Sequence, residues 1–165
     1  NYEEFLNWLM AQQGGQSGHA PHGHGRPPSG GMEIRATCAP HQTRIVRQKV
    51  AASSPEFSGA VSQMRGCLAG SAIAFISHKG EVFPCGYLPV KAGSLREQSI
   101  KDIWENSPLF NELRNRKLLK GKCGDCEYVN VCGGCRARGF TNHGDYMQEE
   151  PYCSYQPKKP AGVNK

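Results

Sequence analysis

Seven cysteines fall into one spaced series: Cys67, Cys85, Cys123, Cys126, Cys132, Cys135 and Cys153. The dense block CGDCEYVNVCGGC reads C-x2-C-x5-C-x2-C, with isolated cysteines on both sides. Thiolates are soft ligands, so this spacing points to a soft metal, and the count points to more than one centre. Each C-x2-C puts two sulfurs on one tight turn with backbone N–H groups aimed at them. Zinc ribbons separate their two pairs by about 15–20 residues. Here five residues separate them, and a zinc ribbon would leave Cys67, Cys85 and Cys153 unused. Closely packed cysteines with a remote fourth ligand are an iron–sulfur pattern. Zinc remains the alternative. A disulfide framework is disfavoured, because C-x2-C closes small rings and no secretory leader is visible. Gly133, Gly134 and Gly139 beside the block let backbone approach a metal centre closely, or serve as ordinary turn glycines.

The eighth cysteine, Cys38, stands apart with His41 in the phrase RATCAPH. Both side chains are possible iron ligands. Arg35, Arg44 and Arg47 surround them, and guanidinium forks bind carboxylates bidentately. Plainer readings stand beside this one: a buried inert thiol, a hydrogen-bonding loop histidine and a solvated basic face.

The elements that must position these groups are short. Residues 1–10 (NYEEFLNWLM) read as the end of an amphipathic helix. They suggest that the chain continues a longer protein. Residues 11–31 are a Gly/Pro/Gln/His linker that buries too little apolar area to order itself. Met32 to Thr37 alternates as a short strand, and Pro40 stops it, so Cys38 and His41 fall just past a strand end. Active residues of α/β barrels often occupy that position. Residues 51–65 read as loop. Ala72 to Ser77 and Glu81 to Phe83 flank Lys79-Gly80 as a hairpin that folds Cys85 back towards Cys67. Ser99 and Asp102 open a helix whose apolar face is Ile100, Ile103 and Trp104. Ser107 and Pro108 start another, with Leu109, Phe110 and Leu113 inward.

The net charge is +6 with histidines neutral. Two thiolate-ligated clusters would lower it to about +3. That balance and the absent helix-turn-helix, finger and RNP patterns argue against a nucleic-acid partner. No run approaches the roughly 18 apolar residues of a membrane span.

The series Cys67-x12-Gly80-x4-Cys85, then Cys123, Cys126, Cys132 and Cys135, then Cys153, resembles the SPASM domain of radical S-adenosylmethionine (SAM) enzymes. One departure is the last spacing in the block, C-x2-C where the family has C-x3-C. The phrases RATCAPH (35–41), FISHKGEVFPCGYLPV (75–90), CGGCRARGF (132–140) and EEPYC (149–153) are similar to radical SAM enzymes of the alternative haem pathway. The resemblance covers residues 32–155 except the loop at 51–60.

It implies an α+β architecture: the end of a partial α/β radical SAM barrel over 32–60, the SPASM domain over 61–155 and a disordered tail over 156–165. It also implies two auxiliary 4Fe–4S clusters. One would take Cys123, Cys126, Cys132 and Cys153. The other would take Cys67, Cys85 and Cys135, with its fourth ligand exogenous, the substrate or Cys38. Cys38, His41 and Arg44 would contact substrate, and Tyr87 and Tyr152 would shield the clusters. The implied activity is that of a cytoplasmic oxidoreductase acting on an iron tetrapyrrole with an electron donor or acceptor protein. The step is oxidative decarboxylation of propionates, with deacetylation of a siroheme derivative, or a zinc-binding scaffold without catalysis, as alternatives. The C-x3-C-x2-C motif that holds SAM and a third cluster does not occur in these residues. It is expected in a preceding segment, and this chain alone is expected to be inactive.

Overall fold

The computed structural model describes residues 2–13, 38–53 and 65–158. The expected strand at Met32 to Thr37, most of the linker and Arg35 lie outside the described residues. Helix α1 spans Tyr2–Gln13, so the expected helix end runs on into the start of the linker. Leu6 is buried, whereas Phe5 and Trp8 stack on each other at the surface.

A second helix, α2, spans His41–Ser53 and was not anticipated. The segment after Pro40 was expected to be a substrate-contact loop running into loop at 51. Its sequence HQTRIVRQKVAAS is mostly polar, so periodicity gives little signal, and Ile45 is its buried apolar residue. Tertiary contacts hold it instead. Arg44 pairs with Glu3 of α1 at 2.8 Å, and the Thr43 hydroxyl donates to the Val131 carbonyl at 3.3 Å.

From residue 65 the fold is a small antiparallel sheet packed on short helices. Strand β1 (Phe75–Ile76) pairs with β2 (Glu81–Phe83) in the register Phe75 to Phe83, with Gly80 in the turn at φ 81°. This is the expected hairpin. A third strand, β3 (Gly93–Ser94), pairs with β2 through Val82 and Gly93. Two residues without alternation carry no strand signal, so β3 was missed. Helix α3 (Ile100–Asn106) starts where expected, with the Ser99 hydroxyl accepting from the Asp102 N–H at 3.0 Å. Ile100 is exposed, contrary to the expected apolar face, while Ile103 is buried. Helix α4 (Pro108–Arg114) begins at Ser107, whose hydroxyl donates to the Ala92 carbonyl instead of capping its own helix.

One apolar cluster joins the sheet to these helices: Val82, Leu88, Ile103, Leu109, Phe110 and Leu113, continued by Ala137 and Met147. A 3₁₀ turn (Arg116–Leu118), a one-turn helix α5 (Gly121–Gly124) and helix α6 (Arg136–His143) complete the described chain. The cysteine block thus lies on turns and helix ends around this cluster. Among the described residues, no helix is long and apolar enough to cross a membrane.

Candidate metal centre

All eight cysteines are free thiols. They sort into two groups. Cys123, Cys126, Cys132 and Cys153 line one narrow cleft, together with His41, Arg44, Gly133, Gly134 and Glu150. Burial pushes the Cys132 thiol up to about 12, and negative charge on Cys123 and Cys153 adds to the shift. Burial likewise raises Cys123 and Cys126, and each is further opposed by charge on Cys153. Bare thiolates are therefore unfavourable here, and a cation must compensate them before they ionise.

Backbone donors are already in place. The Glu150 N–H lies 3.3 Å from Cys123 Sγ. Cys126 receives the N–H of Tyr128, Cys132 that of Gly134 and Cys135 that of Arg138. N–H bonds to sulfur favour the thiolate and tune cluster potentials. At Cys126, Cys132 and Cys135 this is the expected turn geometry, whereas Cys123 takes its N–H from Glu150, outside the block. Gly134 permits it: its φ is +65°, and a Cβ there would sit 3.1 Å from Cys123 Sγ and 2.8 Å from Glu150 Cβ.

One feature of the cleft suits an iron–sulfur group. Both ring nitrogens of His41 and Nε of Arg44 are buried without a hydrogen-bond partner beside the four thiols. The Arg44 N–H and the single N–H of the neutral imidazole are donors awaiting an acceptor such as a sulfide.

The other group is Cys67, Cys85 and Cys135, with Cys38 beside them. The Gly70 N–H donates to the Pro84 carbonyl at 3.1 Å, which brings the Cys67 and Cys85 arms together. Burial raises the Cys135 thiol, and charge on Cys67 adds to it. Cys135 borders a cavity of about 360 Å³ that Cys38, Tyr87, Arg138, Asn142 and Tyr152 also line. Tyr87 and Tyr152 are 71% and 59% exposed, so they rim this opening instead of sealing a cluster from water.

Glu150 joins the two groups and is fully buried. Its backbone bonds to Cys123, while its carboxylate accepts from the Cys135 N–H at 2.8 Å and from Arg138 Nε at 2.8 Å. Burial opposes its ionisation, but the Arg138 bond and charge prevail and hold its pKa below the usual carboxylate range. His41 Nε2 lies 3.9 Å from it. Burial nevertheless drives the His41 pKa down to about 4, so the imidazole is neutral at pH 7. Replacing Glu150 with alanine leaves Arg138 half-buried without its counter-charge. We expect a loss of about 3–5 kcal/mol, read by urea denaturation of the reconstituted protein. An unchanged midpoint would contradict the bridging role.

The three residues expected to meet substrate are therefore separated. Cys38 opens into the larger cavity. His41 and Arg44 are 1% and 2% exposed and face the other cleft. Their helical, buried setting replaces the open loop read from the sequence. His78 is an exposed turn residue. The tail continues through Tyr155, whose ring lies under Arg44 at 4.6 Å. Sequence reasoning missed Glu150, Arg138 and Arg116. The first two sit in phrases it singled out, EEPYC and CGGCRARGF, and a carboxylate and guanidinium flanking ligand cysteines were the available signal. Arg116 donates to the Cys67 carbonyl at 3.0 Å, a contact invisible at a separation of 49 residues.

Comparison with known proteins agrees with the cysteine spacing. Residues 67–136 match the model of SPASM, an iron–sulfur cluster-binding domain. An AdoMet-dependent heme synthase of Methanosarcina barkeri is 45% identical over 163 residues, covering 96% of this chain and 43% of its own length. That of Oleidesulfovibrio alaskensis is 45% identical over 169 residues, covering 99% of this chain and 40% of its own length. A PqqA peptide cyclase of Granulibacter bethesdensis is 32% identical over 100 residues, 56% of this chain and 27% of the relative. The chain thus spans about two fifths of the heme synthases it matches. The matched stretch, 67–136, holds six of the seven cysteines whose spacing resembles that domain.

Proposed function

We propose that this chain is the auxiliary-cluster portion of a radical SAM oxidoreductase of haem biosynthesis that decarboxylates propionates of an iron tetrapyrrole. The observation that carries this reading is the sorting of the thiols into two groups on either side of buried Glu150. Identity to heme synthases along nearly the whole chain supports it. Cys123, Cys126, Cys132 and Cys153 hold one 4Fe–4S cluster, and Cys67, Cys85 and Cys135 hold the other. Such clusters supply one-electron acceptance as carbon dioxide leaves. S-adenosylmethionine and its own cluster would belong to the remainder of the full-length protein, of whose heme synthase relatives this chain spans about two fifths. The setting is the cytoplasm, and a redox protein exchanges electrons with the centres.

The chain's own contribution to substrate is the cavity beside Cys135. Arg138, Thr141 and Asn142 offer polar groups to a carboxylate, and Tyr87 and Tyr152 offer aromatic faces to a macrocycle. Arg138 is held in orientation by Glu150 and by the Cys38 carbonyl, and its Nη2 is buried without a hydrogen-bond partner. His41 and Arg44 serve the buried cleft.

The test is turnover by the full-length protein, reconstituted without oxygen and given SAM, a reductant and iron-coproporphyrin III. We expect vinyl products, and Asn142→Ala should weaken substrate binding by about fivefold, about 1 kcal/mol, in an absorbance titration. Inertness towards this porphyrin, with deacetylation of a siroheme derivative, would move the assignment to the deacetylase.

A further inference from the structure

We propose that Cys38 is the fourth protein ligand of the cluster held by Cys67, Cys85 and Cys135, closing that centre with thiolate at all four irons. The inference rests on the cluster reading above. Three independent features place Cys38 with this group. It lines the same cavity as Cys135. Its carbonyl accepts from Arg138 Nη1 at 3.1 Å, and Arg138 is the residue whose backbone N–H serves Cys135 Sγ. The Cys85 and Cys67 sulfurs lie within electrostatic reach of its own, as does the Arg138 guanidinium.

Backbone geometry adds a further argument. Cys38 is the one non-glycine residue with positive φ among the described residues, at 54°. A non-glycine side chain adopts that conformation at a cost, and such residues persist where surrounding contacts impose them, often at functional sites. Here Arg138 grips the carbonyl, and the turn at Ala39-Pro40 leads straight into α2. That turn presents the thiol at the mouth of the cavity, while the chain after it dives into the protein at His41. A packing role does not account for an exposed sulfur in a strained turn. Ligation does: the thiol loses its proton, and the sulfur occupies the iron that the other three cysteines leave open.

The consequence is functional. A centre closed by four thiolates exchanges electrons without binding substrate through iron. Substrate in the neighbouring cavity is then held by Arg138, Asn142 and the two tyrosines, a short distance from the centre but not coordinated to it.

The test is thiol alkylation with iodoacetamide, followed by mass spectrometry, on the full-length protein reconstituted without oxygen. Ligated sulfur does not react as free thiolate does. Cys38 should alkylate at least about tenfold more slowly in the reconstituted protein than after iron is removed by chelation, in step with Cys67, Cys85 and Cys135. Full-rate alkylation of Cys38, with those three protected, would overturn the assignment while leaving the cluster reading intact. Unprotected cysteines throughout, despite bound iron, would overturn both. A second readout uses Cys38→Ala. We expect mild oxidation by ferricyanide to give a three-iron EPR signal about twice that of the native protein, in which the three-cysteine SAM-binding cluster already contributes one. A spectrum superimposable on the native one would again sink the assignment.

Discussion

Replacing Cys132 with alanine should remove one whole cluster, about four irons and four sulfides per chain, and leave the other in place. The sulfur is buried in its cleft, and burial, with charge on Cys123 and Cys153 adding to it, pushes its thiol up to about 12. A cluster repays that cost only when all its thiolates are engaged. Without Cys132, the Gly134 N–H loses its acceptor, and Cys123, Cys126 and Cys153 face a centre with one corner open to water. Both His41 ring nitrogens and Arg44 Nε then stay without a partner in the cleft. Cluster binding and folding are one equilibrium in such sites, so stability should fall with the iron. Iron and sulfide content and the visible absorbance of the variant check this directly. Full retention of eight irons would mean that Cys132 is not a ligand.

The second large effect is expected at a residue that touches no metal. Gly66→Ala should cost about 4 kcal/mol or more, at the extreme of point substitutions. A Cβ at Gly66 would sit 1.9 Å from the Cys132 carbonyl oxygen and 2.7 Å from its Cα. Both obstacles are backbone, so neither can swing away. The same contact carries the hydrogen bonds Gly66 N–H to the Val131 carbonyl, 2.7 Å, and Cys67 N–H to the Cys132 carbonyl, 3.2 Å. That short ladder ties a ligand of one group to a ligand of the other. Prising it open should release iron from both. Gly144→Ala is the control: its φ is +73° but a Cβ there meets nothing within 4 Å, so the backbone conformation alone should cost about 1–2 kcal/mol. Urea midpoints and iron content of the two variants separate steric wedging from backbone strain. Equal effects would refute the wedge.

What was legible in the sequence was what local chemistry encodes. The spacing of the cysteine block specified turns with N–H groups directed at sulfur, and the structure has them at Cys126, Cys132 and Cys135, whereas the N–H on Cys123 comes from distant Glu150. Gly80 marked the hairpin, and Ser99 marked a helix start, because a positive φ and a capped N–H are decided within four residues. Helix α2 was not legible, since its stability comes from Glu3 against Arg44 and from Tyr155 against the same guanidinium, partners more than 40 and 100 residues away. The burial of His41 and Arg44 follows from that docking, so residues read as an open substrate loop became the wall of a cleft. Glu150 was half legible: a carboxylate close to Cys153 was in view, but its bonds to Cys123 through its backbone and to Cys135 through its carboxylate span 27 and 15 residues.

The central claim is that two iron–sulfur clusters sit in these thiol groups, and the most direct test is the content of iron, acid-labile sulfide and zinc in this chain prepared and reconstituted without oxygen. About eight irons with matching sulfide and negligible zinc is the result the account predicts. One or two zincs per chain without sulfide would contradict it and leave a zinc-held interaction module.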